Sequence, residues 1–196
     1  MKTSPSLLPL LRSRAQGEVL ALLLLHPERE YSLSELAEEM GVTPTTVLRE
    51  VERLTVAGIL ADRRVGRSRL VRARTDTVLY QPLSDLIAAS FGPLPVLTDA
   101  LAALGGVRRA FIYGSWAARY TGQPGPPPAD VDVLVIGEPD ADELFDLAEE
   151  ASRRLHRAVN VHRLSDEAWQ SPSDDPFLTS VRERPLVELK LARETA

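Results

Sequence analysis

No cysteine occurs among the 196 residues. Disulfides and thiolate metal sites are therefore excluded, and a cytoplasmic location is the expectation. Histidine is scarce as well. His26, His156 and His162 lie far apart and form no ligand spacing, so each reads as a structural or surface residue. Long apolar runs are missing. The densest, Val19 to Leu25, is far too short to cross a bilayer, and no membrane partner is expected. Leu7, Leu8, Leu10 and Leu11 are interrupted by prolines and followed by Arg12, so no signal peptide is expected. What is present is ordinary for a globular chain: 44% hydrophobic and 26% charged residues. The net charge of −5 is unevenly spread. Residues 1–76 carry 12 basic and 10 acidic side chains, and residues 77–196 carry 11 and 18. That asymmetry suggests that only the first part meets nucleic acid.

The first third reads as a helix, two short helices and a hairpin. Ala15 to Leu25 has the apolar density of a buried helix, and His26-Pro27 ends it. Ser32-Leu33-Ser34-Glu35 is a capping box opening a second helix, with Leu33, Leu36, Ala37 and Met40 on one face. Gly41 stops it. Thr43 caps a third helix with Pro44 at its first position. Val47, Leu48, Val51 and Leu54 form its inward stripe, which leaves Thr45, Thr46, Arg49 and Arg53 outside. After Gly58, Ile59 to Ala73 suggests two strands around Gly66, with Arg63, Arg64, Arg67, Arg69 and Arg72 set against one acid, Asp62. Two helices joined by a tight turn can place the second in the major groove, and a basic hairpin can meet phosphates. The stretch 17–74 resembles winged helix-turn-helix regulators of the broad ArsR/MarR kind. The resemblance implies double-stranded DNA as partner, with Thr45, Thr46, Arg49, Arg53, Arg63, Arg64, Arg67 and Arg69 as contacts.

Residues 77–105 read as a helical linker. Leu79, Leu83, Leu86 and Ile87 recur at helical spacing, Phe91 to Pro95 interrupts them, and Val96, Leu97, Ala100, Leu101 and Leu104 resume. Such segments can join domains or pair with a second copy. A homodimer is expected, because a two-fold protein reads a pseudo-palindromic site.

Residues 106–196 carry a different chemistry. Val107 to Tyr113 reads as a strand running into Gly114-Ser115 and a short helix. A Pro/Gly-rich loop follows, then a strand Asp130-Val131-Asp132-Val133-Leu134-Val135-Ile136. Asp130 and Asp132 are two apart, so their carboxylates share one face. Two carboxylates that close repel each other unless a cation lies between them, and Mg²⁺ with its preference for oxygen suits the pair. A Gly-Ser bend opening a helix offers backbone N–H groups and a hydroxyl to phosphate oxygens.

Tyr113-Gly114-Ser115, a spacer and Asp130-Val131-Asp132-Val133 together resemble the signature of the DNA polymerase beta nucleotidyltransferase superfamily over about residues 107–165. The resemblance implies that Gly114 and Ser115 grip a nucleoside triphosphate. It also implies that Asp130 and Asp132 ligate Mg²⁺ and serve catalysis. The whole order is similar to prokaryotic regulators that join an ArsR-like domain to a nucleotidyltransferase domain. Two departures stand out. The spacer between Ser115 and Asp130 holds 14 residues and is rich in proline. In addition, Asn160 occupies the place of the third carboxylate on the later strand Ala158 to Arg163. An amide cannot act as a base. The fold expected is α+β: a winged helix-turn-helix over 1–76, a helical linker over 77–105 and a small mixed-sheet nucleotidyltransferase-like domain over 106–196. Two functions stay open: a DNA-binding regulator with a nucleotide as signal, and a transferase moving a nucleoside monophosphate to a hydroxyl. Arg119 could reach a phosphate but reads first as a surface arginine, Trp116 and Trp169 read as packing residues, and the tail from Asp174 to Lys190 closes the domain.

Overall fold

The computed structural model describes residues 11–171 and 176–191. Leu7, Leu8 and Leu10, and Asp174 at the start of the tail, lie outside them. The described residues form two compact units that divide between Gly92 and Pro93.

In the N-terminal unit, α1 (Arg14–Leu24) starts where the Ser13 hydroxyl accepts from the Gln16 N–H at 3.1 Å. It buries Val19, Leu20, Leu22, Leu23 and Leu24. A short strand β1 (Tyr31–Ser32) leads into α2 (Leu33–Glu39). Both halves of the capping box are formed: the Glu35 N–H donates to Ser32 Oγ, and the Ser32 N–H donates to Glu35 Oε2. Helix α3 (Pro44–Val56) opens with Thr43 accepting from the Thr46 N–H at 3.3 Å. Strands β2 (Leu60–Val65) and β3 (Ser68–Ala73) form the hairpin, and β1 adds to the far side of β3 in the order β1-β3-β2. Two residues carry no legible period, which is why β1 escaped the sequence reading.

Helix α4 (Tyr80–Phe91) completes this unit. Tyr80 and Ser84, one turn apart, both donate to the Leu24 carbonyl, at 3.2 and 3.3 Å. A carbonyl in the last turn of a helix lacks an N–H from its own helix, and these hydroxyls supply donors. The expected linker is thus divided. Its first half is docked on α1, with Ile87 fully buried, and its second half belongs to the other unit. By length and composition Tyr80–Ala102 could cross a membrane, with 23 residues and a mean hydropathy of 1.2. Gly92 is extended, however, with φ −82° and ψ −169°, and it separates helices of 12 and 10 residues. Neither piece has spanning length.

The C-terminal unit contains α5 (Pro93–Ala102), β4 (Val107–Tyr113), α6 (Gly114–Tyr120), β5 (Asp130–Gly137), α7 (Ala141–Leu155), β6 (Ala158–Leu164), α8 (Asp166–Gln170), α9 (Pro176–Arg182) and β7 (Val187–Glu188). The sheet order is β6-β5-β4-β7, with β5 parallel to β6 and antiparallel to β4. Helix α7 is the crossover that parallel pairing requires. Its N-cap Asp140 accepts from the N–H groups of Asp142 and Glu143. On one sheet face, Ala110, Ile112, Val131, Val133 and Val135 are fully buried. On the other, Phe111, Leu134 and Ile136 pack with Trp169, Phe177 and Val181 of α8 and α9. Trp169 packs against Phe111 with ring centroids 5.5 Å apart, a packing role as expected from the sequence.

Candidate functional site

Thr45, Arg49 and Arg53 are exposed on α3, as its period requires, while Val47, Val51 and Leu54 are buried. Thr46 is half-buried, and its hydroxyl lies 3.0 Å from that of Thr43, so it serves the helix start. Arg53 is engaged too. Its Nη1 donates to Glu50 Oε1 at 3.2 Å, and the Ser13 hydroxyl reaches the same oxygen at 3.3 Å. Glu50 is only 6% exposed, and its Oε2 is buried with no hydrogen-bond partner among the described residues. Sequence reasoning missed this carboxylate. Its position was legible, because residue 50 falls within the inward stripe 47, 51, 54.

The hairpin pairs Val65 with Ser68, which leaves Gly66-Arg67 as a two-residue loop. Gly66 at φ +59° fits the first position of a type II′ turn. The wing arginines are not equivalent. Arg63 meets Glu30 at 2.5 Å, Arg72 lies 3.7 Å from the same carboxylate, and Arg69 meets Asp62 at 2.8 Å. The Arg63 hydrogen bond holds the Glu30 carboxyl below the usual carboxylate range despite some desolvation. Arg64 and Arg67, at the tip, face no acid among the described residues. Glu30 stands in sequence far from the wing, and nothing local announces the pairing.

Register creates the second site. Because β4 and β5 are antiparallel with Tyr113 opposite Asp132, the Gly114-Ser115 bend that ends β4 lies beside the start of β5. Gly114 has φ +68°, and a Cβ there would sit 2.6 Å from Asp132 Oδ2. The carboxylate therefore occupies the space a side chain would fill. Asp130 and Asp132 share the face that carries Leu134 and Ile136, but at its open end, where both are half-buried. Ser115 is exposed at the bend. Asn160 stands opposite Asp132 on β6, and its Nδ2 donates to Asp130 Oδ2 at 3.0 Å and Asp132 Oδ1 at 3.2 Å. Only the NH₂ end of an amide can donate to two carboxylates at once, which dictates its orientation. Burial pushes the Asp132 carboxyl above its usual range; the Asn160 bond offsets part of that rise, and Asp130 adds to it. Burial, then the two aspartates, raise the Tyr113 hydroxyl as well. No arginine pairs with either acid among the described residues. These residues also contain no group of three or more His, Asp or Glu side chains able to hold a metal. His162, two residues beyond Asn160, packs on Phe177 at 4.5 Å instead of joining the acids.

Helix, strand, two short helices and a hairpin that closes a three-stranded sheet define the N-terminal unit as a winged helix-turn-helix. No family model matches the chain, and no curated protein matches it. Among solved structures it is similar to the adhesin competence repressor AdcR from Streptococcus pyogenes, with 18% identity over 39% of this chain and 55% of that one, TM-score 0.33. It is similar to the YusO protein from Bacillus subtilis, with 26% identity over 39% and 53%, TM-score 0.33. It is also similar to a mutant of ZitR from Lactococcus lactis in complex with DNA, with 19% identity over 46% and 58%, TM-score 0.34. The chain thus spans little more than half the length of the solved chains it matches. The winged helix-turn-helix architecture follows from the chain's own elements.

Proposed function

We propose that this chain is a DNA-binding transcriptional regulator whose C-terminal unit holds a magnesium-bound nucleoside triphosphate. The observation that carries the DNA half is the placement of free polar groups. Thr45 and Arg49 lie on the exposed face of α3, and Arg64 and Arg67 sit at the wing tip with no acid partner among the described residues. Such a helix can reach base edges, and such a tip can reach phosphates or a narrow minor groove. A gel-shift assay with the DNA upstream of its own operon tests it; binding that is absent, or insensitive to salt, rejects it.

Homodimerisation belongs to the same reading. Leu79, Pro82, Leu86 and Ala89 recur at spacings of three, four and three and are all exposed, which makes an apolar stripe along α4. A matching stripe on a second copy would cover it.

The donor set at β5 fits a divalent cation. Asn160 occupies one oxygen of each aspartate, and nothing else among the described residues hydrogen-bonds to either carboxylate. Asp130 and Asp132 would hold Mg²⁺, which would offset the charge of a triphosphate seated against Gly114 and Ser115. Nucleotidyl transfer is the second reading, favoured by the close fit of Asp132 against Gly114. With Asn160 in place of a base, binding without transfer is the version better supported. Incubation with labelled nucleoside triphosphates and Mg²⁺ separates the two. Transfer abolished by Asp130→Ala with Asp132→Ala would establish an enzyme; bound but unreacted nucleotide would establish a sensor.

A further inference from the structure

From its buried, partnerless donors we infer that Arg119 is the phosphate-binding cation of the C-terminal unit, masked by the loop 121–129 until the anion arrives. The inference rests on the triphosphate reading of the acid pair. Ser115 and Arg119 are four residues apart on α6 and so share a face, which places Arg119 about 6 Å along the helix from the bend that touches Asp132. Arg119 Nε and Nη1 are both buried and donate to nothing among the described residues. Three residues before it on the same helix, Trp116 is 6% exposed, and its indole N–H is likewise buried without an acceptor. Guanidinium and indole are donors only. A guanidinium with two buried donors left over is suited to an anion, which alone supplies both acceptors and the opposite charge.

The fold does not use Arg119 as it uses its structural arginines. Arg53 meets Glu50, and Arg157 donates to the Pro128 carbonyl. An unpaired cation withdrawn from water costs stability, so Arg119 weakens the unliganded fold. The cover over it is slight. Gly125 lies so close to Nη2 that any side chain at 125 would collide with it. The segment 121–127 is otherwise exposed, whereas Pro128, pinned by Arg157, is buried just before Asp130. A phosphate arriving beside Ser115 would displace Gly125 and take two parallel N–H bonds from the guanidinium.

The full chain is the material for the test, with Mg²⁺ and inorganic tripolyphosphate as the probe. Tripolyphosphate should raise the melting temperature of the wild type. Arg119→Met should melt no lower than wild type without ligand, should lose that rise, and should bind tripolyphosphate ~10–100-fold more weakly. Arg119→Lys, which keeps the charge without the fork, should retain part of the rise. The inference is overturned if Arg119→Met binds as wild type does, or if it unfolds or melts lower without ligand, the mark of a structural arginine. A wild type indifferent to tripolyphosphate overturns it together with the reading of the acid pair, so the two failures are distinguishable.

Discussion

Asn160 ties Asp130 to Asp132: one amide nitrogen reaches a carboxylate oxygen of each, at 3.0 and 3.2 Å. The amide does part of what a cation would do, placing positive hydrogen ends between two negative groups. Asn160→Asp removes both donors and adds a third acid. Without metal the variant should lose on the order of 1 kcal/mol of stability. Excess Mg²⁺ should restore it more strongly than it stabilises the wild type. Thermal unfolding with and without Mg²⁺ measures both effects, and an Asn160→Asp protein insensitive to Mg²⁺ would remove the cation from the site.

Pairing at the wing ranks its arginines. Arg64→Ala and Arg67→Ala should each weaken DNA binding regardless of sequence and lower the salt slope by about 1. Arg63→Ala and Arg69→Ala should do less, because Glu30 and Asp62 already engage those side chains. Fluorescence anisotropy across a salt series gives the order. Equal effects from all four would mean that the ion pairs break on DNA.

Loss of DNA binding on replacing Arg53 should have a different origin. Arg53→Ala leaves Glu50 buried with only Ser13 beside it, at a cost of about 1–3 kcal/mol. Adding Glu50→Gln should return most of that stability, since no charge then remains to be matched. Denaturant melts of the single and double variants decide it; an unrescued double variant would make Arg53 important for some other reason.

The start of α2 carries a pH signature. Ser32→Ala should cost about 1 kcal/mol through the lost cap. The Ser32 backbone N–H, and then its hydroxyl, hold the Glu35 carboxyl below the usual range. A depressed acid stabilises the fold above its ordinary titration range, and that contribution fades as pH falls through the depressed value. The difference in melting temperature between wild type and Glu35→Gln should therefore shrink on acidification. A difference that grows would contradict the capping box.

Along α4, Leu86→Glu should abolish self-association without unfolding the chain, because Leu86 is exposed at 51%. Sedimentation or light scattering would report a monomer. A wild type already monomeric would leave that face without a second copy.

Much of this was legible wherever a local rule decided the structure. The caps at Ser32 and Thr43, the hairpin around Gly66 and the shared face of Asp130 and Asp132 depend on neighbours a few residues away. Asn160 was legible although its partners lie 30 and 28 residues away, because a parallel strand after a crossover brings it into register with Asp132. What escaped depends on distant partners. Glu30 neutralises an arginine 33 residues away, and Ser13 reaches Glu50 across 37. The docking of the expected linker's first half on α1 escaped for the same reason. Nothing within 77–91 says that Tyr80 and Ser84 will find the Leu24 carbonyl at the end of α1.

The void left by the missing Cβ at Gly114 is filled by an acid from another strand. These two positions, 18 residues apart, are therefore sterically coupled. An alanine at 114 would have to hold a positive φ and turn the Asp132 carboxylate aside, so the acid would lose this orientation. Glycine at 114 thus does for its neighbour's charge what a notch does for a key: it reserves the room in which that carboxylate can stand.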